Sequence, residues 1–98
     1  MTARAVVYAR RAAAQLEEAV AWYAQQAPDQ VTSFLADEAR ARARIASFPR
    51  IAPALHGPVR AASLTRFPYT LWYRIRDEEV LEIIAVAHHK ADVRRVLD

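Results

Sequence analysis

The sequence predicts an α+β fold in which a hairpin of two helices covers one face of an antiparallel sheet. Three observations carry that prediction. From Arg10 to Ser47 the apolar residues recur at helical spacing, interrupted once at Ala27-Pro28-Asp29. From Val59 to His88 the period shortens to two. The chain's 98 residues suit one domain, 1–98, with a single layer of helices on a single sheet.

A first strand is expected over Ala3 to Tyr8, where Val6, Val7 and Tyr8 have β-propensity and no helical period has begun. A helix over Arg10 to Gln26 follows. Leu16, Ala19, Val20 and Tyr23 share one face, Glu17 and Glu18 point away, and Trp22 lies at the edge of the stripe. The start carries no Ser, Thr, Asp or Asn cap. Pro28 and Asp29 open a second helix, since proline fits a first turn and a carboxylate there suits the helix dipole. Val31, Phe34, Leu35, Ala39, Ile45 and Phe48 give its apolar side, and Glu38 pairs with Arg42 on the wet side. Phe48-Pro49 ends it near Ser47. So short a break between helices makes them antiparallel.

A loop follows, marked by Pro49, Pro53, Pro58 and the sole glycine, Gly57. In the second strand Arg60, Ala62 and Leu64 alternate with Ala61 and Ser63, and Phe67-Pro68 punctuates its end. The third strand runs from Tyr69 to Arg76. Tyr69, Leu71, Tyr73 and Ile75 lie on one face, and Thr70, Trp72, Arg74 and Arg76 on the other. Asp77-Glu78-Glu79 makes a turn. The fourth strand, Val80 to about His88, is apolar on both faces and therefore central. A tail from Lys90 to Asp98 carries Arg94 and Arg95 on a short helix. The order is βααβββ plus tail, with no repeat, linker or low-complexity segment.

Composition bounds the chemistry. With no cysteine there is no disulfide, thiolate zinc site or cysteine nucleophile, which fits a reducing cytoplasm. No apolar run approaches the roughly 20 residues that span a bilayer, and the stretch from Met1 to Tyr8 is too short for a signal peptide. No cofactor is expected. His88 and His89 are adjacent, but neighbours on a strand point to opposite faces and cannot chelate one ion together. The net charge of +3 suits an acidic protein or a nucleic acid as partner. An arginine- and alanine-rich composition is also what a GC-rich genome produces, so only clustering makes an individual arginine informative. Arg40, Arg42 and Arg44 wrap around their helix and read as a solvated face.

Three segments then resemble one family. Arg66-Phe67-Pro68-Tyr69-Thr70-Leu71-Trp72-Tyr73-Arg74-Ile75 is similar to the "R-x-P-Y-x-I-x-Y-x-I" third strand of the bacterial RelE/ParE toxin superfamily. Val80 to His89 followed by Lys90 resembles its "V-x-I-x-x-V-x-H-x-R/K" fourth strand, and Phe48-Pro49 followed by Pro53 its "F-P-x-x-G-x-P" loop. The resemblance spans essentially the whole chain and is strongest toward the ParE branch. It implies a toxin neutralised by an antitoxin encoded beside it, whose acidic or amphipathic C-terminal segment wraps the toxin in a heteromeric complex. ParE-like members are associated with poisoning DNA gyrase; RelE-like members resemble ribosome-dependent mRNA endoribonucleases.

Cleavage through a 2′-hydroxyl needs a base, a cation for the crowded phosphorane and an acid for the leaving oxygen. Thr70 stands where the ribonuclease branch places an early third-strand arginine, and Phe48 to Thr65 contains no carboxylate. If the chain were such a nuclease, His89, Arg74, Arg66 and Lys90 would be its candidate groups, with Arg60 a further charge stabiliser. As a binding protein it would expose Trp72, Arg74, Ile83, Ala85 and Ala87 opposite the helices, a small-residue floor for the antitoxin segment. His89, Lys90, Arg94 and Arg95 would then meet the target. The expected function is that of a type II toxin inhibiting gyrase. The alternatives are a RelE-type ribonuclease and a remnant that still binds its antitoxin without being toxic.

Overall fold

The computed structural model describes residues 3–98; Met1 and Thr2, part of the N-terminal reading above, lie outside them. The elements are β1 (Ala5–Tyr8), α1 (Arg10–Gln26), a 3-10 turn (Pro28–Gln30), α2 (Val31–Ser47), β2 (Ala54–His56), β3 (Val59–Ser63), β4 (Tyr69–Ile75), β5 (Val80–His88) and α3 (Val93–Val96). They form a five-stranded sheet in the order β1-β5-β4-β3-β2 with α1 and α2 on one face, which is the predicted fold class. β5 sits between β1 and β4, the central place its two apolar faces require.

Three details differ from expectation. The sheet is mixed, because β1 runs parallel to β5 while the other pairings are antiparallel. No hairpin joins β1 to β5, so nothing forces them antiparallel; the chain between them makes both helices and three strands. The Pro-flanked loop holds an extra edge strand, β2, whose hairpin to β3 turns at Gly57 with φ +60°. The third is a β-bulge in β5. Trp72 pairs with Ala85 but Tyr73 with Ile83, leaving Ile84 unpaired on β4.

The helix-side core is built around Phe34, Ile45, Leu71, Tyr73, Leu81 and Ile83, all with no exposed surface. Tyr23 stacks on Phe34 with centroids 5.0 Å apart, and Phe67 meets both rings edge-on at 5.3 and 5.4 Å. The Tyr73 hydroxyl donates to the carbonyl of Pro49 at 2.7 Å, and burial pushes that hydroxyl's pKa up.

Two carboxylates on α2 are buried: Asp37, and Glu38, which was expected on the wet side. Asp37 accepts from the backbone N–H groups of Thr65 (3.2 Å), Arg66 (2.8 Å) and Phe67 (3.0 Å), clamping the β3–β4 turn onto α2. Glu38 does pair with Arg42, at 3.1 Å, but it also accepts the hydroxyl of Tyr8 on β1. Burial, then the Glu38 contact, pushes that tyrosine's pKa well up. Leu35 and Phe48, expected on the apolar side, are exposed instead.

Candidate functional site

The sheet face away from α1 and α2 was expected to be open. Trp72, Ala85 and Ala87 do point there, as the period-two alternation requires. Ile83 does not: it is fully buried in the helix-side core. The bulge explains the difference, because one unpaired residue shifts every side chain beyond it to the opposite face. Ile84 takes the place on the far face that Ile83 was given.

Nor is that face bare. The tail folds back over it, so that Val96 packs on Trp72, Ala85 and Ala87, with Val93 and Leu97 beside it. The spacing 93, 96, 97 is a one-turn apolar stripe, and it was visible in the sequence as the signal that the tail has a covered side. Asp92 caps α3, its side chain accepting from the N–H of Arg94 at 3.0 Å. The Arg11 guanidinium holds the carbonyl of Asp98 at 2.7 Å, tying the tail's end to α1. Lys90, Arg94 and Arg95 remain exposed, a basic outer side on an apolar cover.

Beside the tail lies a groove of about 770 Å³, between α1 and the ends of β4 and β5. Trp22, Tyr23, Tyr69, Ala87, His88 and Val96 contribute to its walls. Trp22, 56% exposed, stands at its rim, and the buried Tyr23 packs edge-on against that ring at 5.0 Å. Gln15, which the sequence did not single out, accepts from the N–H of Val86 at 2.8 Å. β1 ends opposite Ile83, so this amide satisfies a β5 donor that has no strand beside it.

The four groups named for RNA cleavage are not one cluster. His89 lies at the end of β5, its backbone N–H on the carbonyl of Pro68 (2.8 Å) and its ring Nε2 3.2 Å from the carbonyl oxygen of Tyr69. Lys90 follows it, its N–H on the ring of His88. Arg74 sits toward the other end of β4, paired with Glu82 at 2.9 Å. Glu82 precedes His89 by seven positions, about 20 Å along a strand. Arg66 belongs to the turn that Asp37 clamps, with its side chain exposed. Thr70 is buried, its hydroxyl 3.3 Å from that of Ser63. Among the described residues no group of three His, Cys, Asp or Glu could hold a metal ion, and no helix is long and apolar enough to cross a membrane.

A comparison with curated proteins finds no match. Among solved structures, the chain is similar to one described as a chromosomal ParDE TA system from P. aeruginosa. The TM-score is 0.67 at 17% identity, over 87% of this chain and 95% of that one, a likeness of fold. The family model for the ParE toxin of the type II toxin–antitoxin system parDE matches residues 6–93. That match takes in α1, α2 and all of the sheet but its first residue, and with it the chain belongs to the ParE toxin family of type II toxin–antitoxin systems.

Proposed function

We propose that this toxin acts by binding rather than by hydrolysis: a cognate antitoxin neutralises it, and the free toxin inhibits DNA gyrase. The observation that carries the binding reading is the separation of Arg74 from His89 and Lys90. Arg74 is far from His89 and already neutralised by Glu82, so it cannot stabilise a phosphorane beside the histidine. The gyrase target is what membership of the ParE family suggests.

The antitoxin segment is assigned to the tail end of the molecule. There its apolar side chains would enter the groove between Trp22 and Ala87, and its acids would meet Lys90, Arg94 and Arg95. Trp72 and Ala85 would join that surface only when α3 lifts. Arg74 and the buried Ile83 have no part in it.

The test is to express the chain alone from a tightly repressed promoter and follow DNA and protein synthesis in parallel. A fall in DNA synthesis with filamentous cells, translation being spared at first, is the expected outcome. An immediate arrest of translation with cleaved messages would refute it and return His89 and Lys90 to a catalytic role. Unimpaired growth would leave an antitoxin-binding protein without toxicity.

A further inference from the structure

At the end of the molecule where β4 runs out, a second cavity of about 420 Å³ is lined by Arg4, Arg50, Arg60 and Arg76 together with Asp77 and Glu78. The four arginines come from four places in the chain. Arg4 immediately precedes β1, Arg50 lies in the loop after α2, Arg60 is on β3 and Arg76 immediately follows β4. No stretch of sequence shows them as a cluster; the sheet order and the loop after α2 assemble it.

What sets them apart is that four arginines without a carboxylate partner share one cavity. Arg40, Arg42, Arg74 and Arg94 each pair with a carboxylate within 4 Å. Among the described residues none of the four cavity arginines does so, although two carboxylates share the lining. One oxygen of Asp77, Oδ1, is turned to the backbone, accepting from the N–H groups of Glu79 (2.8 Å) and Val80 (2.9 Å). Two guanidinium groups are held in place by backbone carbonyls, Arg60 by Ala52 and Arg4 by Asp77 at 3.4 Å, each through one nitrogen. A guanidinium has five N–H donors, so most remain free. Arg50 and Arg76 are exposed, and their side chains make no hydrogen bond within the described residues.

We infer that this cavity is a phosphate-binding site. Four guanidinium charges less two carboxylates leave the lining at +2, which matches a phosphate dianion better than a single carboxylate. Forked donors on a partly anchored frame suit an oxyanion with several acceptor oxygens, and anchoring lowers the ordering cost of binding. A free phosphate brings the dianion itself, whereas a nucleic-acid backbone brings successive phosphodiester monoanions; both present non-bridging oxygens to the guanidinium forks. The site lies at the other end of β4 and β5 from the groove and tail, and it does not depend on how the toxin meets its antitoxin.

The test uses the full chain, titrated with inorganic phosphate at constant ionic strength kept with chloride, while the arginine Nε–Hε resonances are followed by NMR. Saturable shifts at Arg4, Arg50, Arg60 and Arg76, and none at Arg94 or Arg95, are expected. Arg76→Gln and Arg50→Gln each change an exposed side chain that bonds to nothing else, so folding is preserved. Each should weaken the phosphate response about fivefold, the value of one lost hydrogen bond of about 1 kcal/mol. A short DNA duplex shifting the same residues, with a log–log salt slope reduced by about 1 in Arg76→Gln, would identify backbone phosphate as the source. Phosphate binding without duplex binding would identify a small phosphate ligand. Shifts that follow ionic strength alone, or an equal response to acetate or to a glutamate-rich peptide, overturn the proposal.

Discussion

The two faces of the sheet are closed in different ways. On one, α1 and α2 bury large side chains completely, among them Phe34, Ile45, Leu71, Tyr73, Leu81 and Ile83. Each contributes about 1.5–3 kcal/mol by leaving water, and the aromatic contacts of Tyr23, Phe34 and Phe67 add to that. On the other, a four-residue α3 closes over Trp72 and two alanines. Alanine floors are flat and have little surface to bury. The fold is therefore held from the helix side, and the far face is covered by something short enough to lift. For a toxin that acts by binding, as proposed above, the weakly closed face, not the core, is the part available to a partner.

The sharpest way to break that contrast lies within β5, where neighbouring isoleucines fall on opposite sides of it. Ile83→Ala should cost about 2–5 kcal/mol, as a cavity in a fully packed core does. Ile84→Ala, on a half-buried side chain of the thinner cluster, should cost about 1 kcal/mol. Urea unfolding at neutral pH measures both. Equal losses, or a larger loss at Ile84, would mean that the bulge is misplaced and the faces are assigned the wrong way round.

That pair also marks where the sequence stops being legible. Helices, turns and the central strand are local: apolar spacing, Pro28, Phe48-Pro49 and Gly57 mark them without reference to the rest of the chain. The bulge is not local. Ile83 and Ile84 are the same residue type, and only the register against Trp72 and Tyr73 decides which one faces the helices. The wet-side reading of Glu38 fails for the same reason, and Asp37 beside it was not singled out at all. On α2 alone they look solvated, but their partners, the turn at Thr65 to Phe67 and Tyr8, lie about thirty positions away. β2 was hidden by the prolines around it and is only three residues long. At the candidate site the direction of Trp72, Ala85 and Ala87 was legible from alternation, whereas their cover was not. Nothing in their own segment says that the tail returns to them.

Asp37 tests how firmly the helix side is clamped. Burial pushes its carboxyl pKa up, but the N–H groups of Arg66, Phe67 and Thr65, with the charge of Arg40, outweigh burial and hold it below the usual range. A carboxyl whose pKa is lower folded than unfolded favours the native state when ionised. Its contribution is present above the unfolded value, near 3.8, and is lost as pH falls through the folded one. Asp37→Asn keeps the shape but removes the charge and one acceptor oxygen. It should cost about 2–3 kcal/mol at pH 7, in the range for hydrogen bonds to a charged group. The variant should also lose part of the wild-type decline in stability below about pH 4, so the two denaturation midpoints converge in acid. Midpoints that stay equally far apart from pH 7 to pH 2.5 would show that the carboxylate charge is not what holds the turn.

The smallest effect is expected where the cover is thinnest. Truncation after Ala91 removes Val93, Val96 and Leu97 from the far face. Their burial is favourable, but ordering each residue of the tail costs about 1–2 kcal/mol, so the net loss should be only about 1 kcal/mol. The local change should be large. Trp72, 8% exposed under the tail, becomes accessible, while Trp22 is 56% exposed already. In a Trp22→Phe background the remaining tryptophan emission should therefore shift to the red on truncation, with little change in the urea midpoint. A midpoint loss as large as that of Ile83→Ala would make α3 part of the core and remove the distinction between the faces. A red shift at nearly constant stability would show that the tail is a separable cover, which is the property an antitoxin segment needs if it is to reach Trp72 and Ala85 without unfolding its partner.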